Sequence, residues 1–279
     1  MKRPPILALL IAAAVAAHLA PSLSRYVVAR IHDPRRLPAL ASDARIRHEP
    51  GALACAEAVA RELPAAMRMI EAAHGRDFAQ APTIGVYRSF DEYARANGLG
   101  DAGIAAVALD TRIVLSPSLC GEARARLPGV LAHELSHAHL FGWRGLLAAR
   151  PPSWFVERLA VAASRGGGAE GMSEEEARAR IIDGRMVETP ERGLWTSFAA
   201  IRFSGENGDA SQESLADRQR LGFRQAGLLV DWIRAKDPAA FARLMRRLEA
   251  GEDFPRALEA AYGARLERLR AAFLADARR

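Results

Sequence analysis

Near the middle of the chain, His133-Glu134-Leu135-Ser136-His137 lies in a stretch whose only charge is that glutamate. Val130, Leu131, Ala132, Leu135, Ser136 and Ala138 make up the rest of the frame. The uncharged frame predicts a buried helix. On a helix, residues four apart stack one turn above each other, so both imidazoles point to one side. Polar rings in such surroundings are costly unless something employs them. Two neutral imidazoles suit a zinc ion, with ligand distances of about 2.0–2.1 Å. Glu134 follows the first imidazole and flanks such a metal without having to bind it, where it can take a proton from water. So short a motif also arises by chance, and the apolar frame is what gives it weight.

A hydrolytic zinc site takes three protein ligands and keeps one position open. Glu157 is the best third ligand, placed 20 residues after His137 on the next predicted helix. Pro151-Pro152-Ser153 signals the start of that helix, and Trp154, Phe155, Leu159 and Ala160 give it an apolar face. The alternative for Glu157 is a surface carboxylate paired with Arg158. His139 competes less well, because two residues past His137 is a different helix face. A supporting or merely polar role suits it better.

Around this pair the chain reads as strands followed by helices, which predicts an α+β fold. Residues 21–50 are rich in Pro and Arg and read as a linker. A helix is expected over 51–75, strands over 83–87, 104–109 and 112–115, and a short helix over 90–96. The motif helix should span 123–141, and Ser173-x-x-Glu176 is a capping box that opens a helix to Asp183. Residues 184–216 lack a period and read as a long loop. Three helices then close the chain, from 217, from 238, and from 254 to the end. Gly166-Gly167-Gly168 reads as a flexible connection, since no Gly-Lys-Ser/Thr follows to make a phosphate loop. The expected division is 1–20 targeting segment, 21–50 linker, 51–165 catalytic lobe and 166–279 helical C-terminal part.

The targeting segment rests on Lys2 and Arg3 ahead of an apolar run over 6–17. It reads as a cleaved secretory signal or a retained membrane anchor, with a buried N-terminal helix as the untargeted alternative. Both targeted readings put the rest of the chain outside the cytoplasm, in the periplasm of a bacterium, free or held at the inner membrane. Cys55 and Cys120 are the only two cysteines. In an oxidising compartment they can form a disulfide, and two buried thiols are the alternative. The formal charge is +6, but arginines are interleaved with glutamates along helical stretches, so a solvated surface is expected rather than a nucleic-acid patch.

His133-Glu134-Leu135-Ser136-His137, followed by Pro152-Ser153-Trp154-Phe155-Val156-Glu157-Arg158-Leu159-Ala160, resembles the gluzincin metallopeptidases. More closely it is similar to their bacterial peptidase MA-like branch. The likeness extends to Thr83–Tyr87, Ser89-Phe90-Asp91-Glu92-Tyr93, Asp253-Phe254 and Ala261-Tyr262-Gly263, about residues 50 to 275. It implies a zincin fold with a small sheet over the two metal-bearing helices. It also implies zinc on His133, His137 and Glu157, with Glu134 as general base, and a peptide substrate held extended against the edge strand 104–109. Two departures stand out. The family glycine after the glutamate is Arg158, which would narrow the cleft or grip a substrate carboxylate. No late tyrosine is placed to hold an oxyanion, since Tyr262 reads as core, and Arg224 is the candidate substitute. The competing readings are a catalytically impaired, membrane-anchored scaffold and a non-enzymatic surface protein.

Overall fold

The computed structural model describes residues 28–144, 148, 150–169, 171–187, 203–204 and 215–277. Two compact units divide the chain, one of residues 1–60 with 83–124 and the other of residues 61–82 with 125–279. The first unit carries a five-stranded sheet built from β1 (Ala39–Leu40), β2 (Asp43–His48), β3 (Thr83–Val86), β4 (Ala106–Leu109) and β5 (Arg112–Leu115), in the order β1-β2-β3-β5-β4. The helix α1 (Leu53–His74) begins in this unit, and α2 (Phe90–Ala96) lies between β3 and β4. β3 pairs in parallel with β2 and β5, and its Ile84 and Val86 are fully buried. β4 pairs antiparallel with β5 through a turn at Asp110 (φ 59°), a left-handed position that Asp tolerates well. β4 is therefore an edge strand. The small core of this unit gathers Tyr87, Tyr93, Ala96, Val107 and Val114.

Residues 21–50 are not a linker throughout. Of those described, 39–40 and 43–48 form strands. β2 hides from pattern reading because Ile46 is its only fully buried residue between charged neighbours. Pairing with β3 rather than its own periodicity makes it a strand. The turn before it is tied down by Asp33, which accepts from Arg35 and from the buried Arg112 of β5 (3.0 Å). Burial would raise the Asp33 carboxyl, but the hydrogen bonds and charges of Arg35 and Arg112 hold it at about 2. Gly85 lets this turn approach the sheet, since a Cβ there would lie 2.7 Å from Pro34.

The second unit is helical: α3 (Leu127–Trp143), α4 (Ser153–Ala163), α5 (Glu174–Ile182), α6 (Leu215–Lys236), α7 (Pro238–Glu249), α8 (Phe254–Tyr262) and α9 (Leu266–Ala277). Its core gathers Leu140, Phe155, Leu159, Leu229, Leu244, Phe254 and Phe273. α4 packs closely on α6 where Gly227 meets Val161, a place where a Cβ would come within 2.9 Å. That contact joins the third-ligand helix to the C-terminal helices, so the expected boundary at 165/166 does not divide the structure. Ser173 caps α5 by accepting from the Glu176 N–H (3.0 Å), as the capping box predicts. The expected single helix from 254 is two, because Gly263 (φ 63°) ends α8 in a left-handed cap. Within the expected loop 184–216, Met186–Val187 pairs antiparallel with Phe203–Ser204 as β6 and β7. Residues 188–202 and 205–214 of that loop lie outside the described residues, as does the segment 1–20, and Leu215 already belongs to α6.

The architecture is mixed α/β, a small sheet with many helices, and is compatible with the expected α+β class. Among the described residues no helix is long and apolar enough to cross a membrane. Cys55 on α1 and Cys120 are joined as a disulfide with Cα atoms 5.5 Å apart, which decides between the two readings of the pair. The crosslink closes a loop of 65 residues. Replacing both cysteines by Ala is therefore expected to lower unfolding free energy by about 2–4 kcal/mol. Urea unfolding of the double variant beside the oxidised wild type measures this, and equal midpoints would refute it.

Candidate metal centre

α3 is buried along almost its whole middle, from Val130 to Leu140. Its apolar residues account for the burial, and helical pitch then brings His133 and His137 to one side. α4 carries Glu157 to the same point. His133 Nε2 lies 3.1 Å from His137 Nε2 and 3.2 Å from Glu157 Oε2, and His137 Nε2 lies 3.5 Å from the same oxygen. Three donors each about 2 Å from one ion at tetrahedral angles would stand about 3.3 Å apart. The three groups therefore form a set that can hold a metal ion, as expected from the sequence. His133 and His137 keep 6% and 7% of their surface exposed, and Glu134 keeps 8%, so the site is recessed yet not sealed.

Charges and hydrogen bonds within the cluster oppose the effect of burial. Burial disfavours a charged His133, but the hydrogen bond and charge of Glu157, the charge of Glu134 and the Gly167 carbonyl raise it to about 9. Burial would likewise raise Glu157. The charges of His137 and His133 and their hydrogen bonds instead hold it well below the usual carboxylate range.

His133 Nδ1–H donates to the Gly167 carbonyl (2.9 Å), which leaves Nε2 as the atom facing Glu157 and His137. The glycines 166–168, expected to be a flexible connection, are instead a close-packed turn. A Cβ at Gly168 would lie 2.8 Å from His133 Nδ1, and one at Gly167 would lie 2.1 Å from the Gly129 carbonyl. This support was missed from the sequence because the main-chain carbonyl leaves no trace in residue type.

His139 stands outside the cluster, as its helix face requires. It is fully buried, and its Nε2 lies 2.8 Å from the Arg76 carbonyl, which can only accept. Nε2 therefore donates, and in the neutral ring His139 Nδ1 accepts from His74 Nδ1–H (2.9 Å). His74 Nε2 is then an acceptor and receives the Ser136 hydroxyl proton (3.0 Å). Burial, with the charges of neighbouring groups, pushes His74 well below the usual histidine range, in keeping with this arrangement. Arg76 also pairs with the buried Glu249 of α7 (2.8 Å). His74 and Glu249 gave no sequence signal, being single polar residues at the ends of helices.

The other two expectations are corrected. Arg158 neither narrows a cleft nor reaches a substrate: it is 1% exposed, with its guanidinium carbon 4.7 Å from the centre of the Trp154 ring. Successive helix residues point about 100° apart, so Glu157 faces the cluster while Arg158 enters the core. Arg224 is engaged on main-chain carbonyls, with Nε donating to Met172 (2.7 Å) and Nη2 to Ala169 (2.9 Å), rather than standing ready for an oxyanion. No protein-family model, no curated protein and no solved structure matches the chain.

Two outcomes follow from these electrostatics. Arg158 Nε and Nη1 have no hydrogen-bond partner, and burial with the charge of Arg270 drives this group well below the usual arginine range. Arg158→Met should therefore stabilise the fold by about 1–4 kcal/mol, and a lowered melting temperature would contradict this. For the metal, Nε2 of His133 must lose its proton before it can ligate. Because that proton is held up to about pH 9, affinity for a divalent ion should rise roughly tenfold per pH unit from pH 7 towards 9 and level off above it. Competition titrations across this range read the slope, and a flat profile between pH 7 and 9 would show that no proton is displaced.

Proposed function

We propose that this chain is a zinc-dependent peptidase of gluzincin type, with a zincin-like fold, that hydrolyses peptide bonds outside the cytoplasm. The observation that carries the reading is the meeting of His133, His137 and Glu157 within 3.1–3.5 Å, with Glu134 beside His133 on the same helix. Two imidazoles and one carboxylate in a recessed site make the donor set of a hydrolytic zinc centre, and a fourth position falls to water or substrate. Zinc bound by His133, His137 and Glu157 would supply Lewis acidity there.

The protein's own groups do the rest. Glu134 takes the proton of the attacking water and returns it to the leaving amine. Glu157 and the imidazoles fix the site, and the Gly167 carbonyl holds the His133 ring in the ligating tautomer. The disulfide Cys55–Cys120 supports a location in an oxidising compartment, the bacterial periplasm, reached through the N-terminal segment as a cleaved signal or an anchor. The substrate is a peptide or protein. Burial of Arg158 takes away a blocked cleft as a ground for the impaired-scaffold reading, while the other ground, the lack of a group placed for the oxyanion, stands.

Glu134→Gln keeps the shape of the side chain but cannot accept the proton. It should bind zinc with unchanged stoichiometry and lose about 10²–10⁴-fold in hydrolytic rate. Glu157→Gln and His133→Ala should instead lose the metal. Metal analysis and cleavage of a peptide library by each variant test this. A wild-type rate that survives Glu134→Gln would falsify the mechanism.

A further inference from the structure

We infer that Arg224 is a positioning residue for the metal centre, acting on His133 through the glycine turn 166–168. The inference rests on the reading of His133 as a ligand and adds the element that orients it. Four observations bear on it. Gly167 accepts from His133 Nδ1 at 2.9 Å, so the turn fixes which ring nitrogen is left for ligation. Arg224 reaches from α6 and donates to the carbonyls of Ala169 (2.9 Å) and Met172 (2.7 Å), which follow the turn directly. The turn is also bonded to α4, through Gly166 N–H to Val161 (2.8 Å) and Ser164 Oγ to Gly167 (3.3 Å). Finally, each of the three glycines is pressed against a different partner. A Cβ at Gly166 would meet Arg224 Nη1 at 2.6 Å, at Gly167 the Gly129 carbonyl at 2.1 Å, and at Gly168 His133 Nδ1 at 2.8 Å.

The turn is thus a wedge seated between the α6 guanidinium and the α3 imidazole. Gly166 and Gly168 have φ of 98° and 80°, a backbone region costly to any other residue. Left to itself, so glycine-rich a turn would sample many conformations. Two charge-assisted hydrogen bonds from one planar group restrict it. A lysine could supply the charge but not a fixed two-donor fork spanning both carbonyls. Arg224 thereby gains a role quite different from an oxyanion cation: it sets the direction of the His133 lone pair without touching metal or substrate.

The test uses the full chain and two readouts. The first is the His133 Nδ1–H resonance in metal-free protein, observed by ¹⁵N-resolved NMR. The second is zinc affinity by competition with a chromophoric chelator. Arg224→Met should shift or broaden the Nδ1–H signal and weaken zinc binding about 10–100-fold, the usual effect of losing a group that orients a ligand. Gly168→Ala should do the same by pushing on the ring directly. Since both act through one turn, the double variant should bind little more weakly than the weaker single variant. Arg243→Met serves as a control, because Arg243 makes a comparable contact with the Ala261 carbonyl (3.0 Å) elsewhere in the unit. It should change neither readout. Should Arg224→Met fail to fold, Arg224→Lys carries the test, with a smaller loss of affinity expected. An unchanged Nδ1–H signal in the folded Arg224 variant, or strictly additive losses in the double variant, would overturn the inference. Wild type that binds zinc but cleaves no peptide ends the peptidase reading and leaves this one intact.

Discussion

Two imidazoles and a carboxylate held within 3.5 Å of one another in a mostly buried site are expensive groups to bring together, and the second unit is arranged around making that possible. The carboxylate is what keeps the cluster from being simple repulsion. Without Glu157, a proton on either ring would sit in a low-dielectric recess beside another imidazole. With it, the charge and hydrogen bond of the carboxylate raise the basicity of His133 against the effect of burial, and the same contact lowers Glu157. The burial of α3 and the close approach of α4 to α6 are the packing conditions under which these side chains meet.

α3 is clamped from two sides by different means. One side presents His133 and His137 to Glu157. Another presents Ser136 and His139 to His74 and Arg76, through a chain of hydrogen bonds that ends on the Arg76 carbonyl. A helix that carried only the metal ligands would be free to rotate a few degrees and misplace both rings. A second polar seam about a third of a turn away resists that rotation, because its bonds are buried or partly buried and would be costly to leave unmade. The uncharged frame visible in the sequence is therefore only part of what holds the motif in place.

How much was legible follows from which physical terms leave a trace in residue type. The meeting of His133, His137 and Glu157 was legible, because His-x-x-x-His depends on helical pitch and Glu157 sits on a well-signalled helix. The strands at Thr83–Val86 and Arg112–Leu115 were legible from β-branched residues. β2 was not, because its stability comes from pairing with β3 and from one buried isoleucine. The break at Gly263 was passed over because α8 and α9 share an apolar pattern across it. The glycine turn was seen and misread. Glycine permits a strained conformation as readily as a mobile one, and only the surrounding atoms distinguish them. Here the Gly129 carbonyl, the His133 ring and Arg224 fill the space that side chains would occupy.

Arg158 shows the same limit from the opposite direction. Read beside Glu157 in sequence, a cation where relatives of the resembled family carry glycine suggests a change at the cleft. On a helix, however, neighbours in sequence are not neighbours on a face. The rotation that sends Glu157 to the imidazoles sends Arg158 onto the Trp154 ring and into the core, where two of its nitrogens find no acceptor. The face of an aromatic ring offers a cation some compensation, worth about 2 kcal/mol when desolvated, less than the cost of an unpaired buried charge. Arg158 therefore bears on the stability of the second unit and not on the geometry of the His133–His137–Glu157 cluster. Adjacency in the motif and adjacency in space carry different chemistry, and the helical turn separates them.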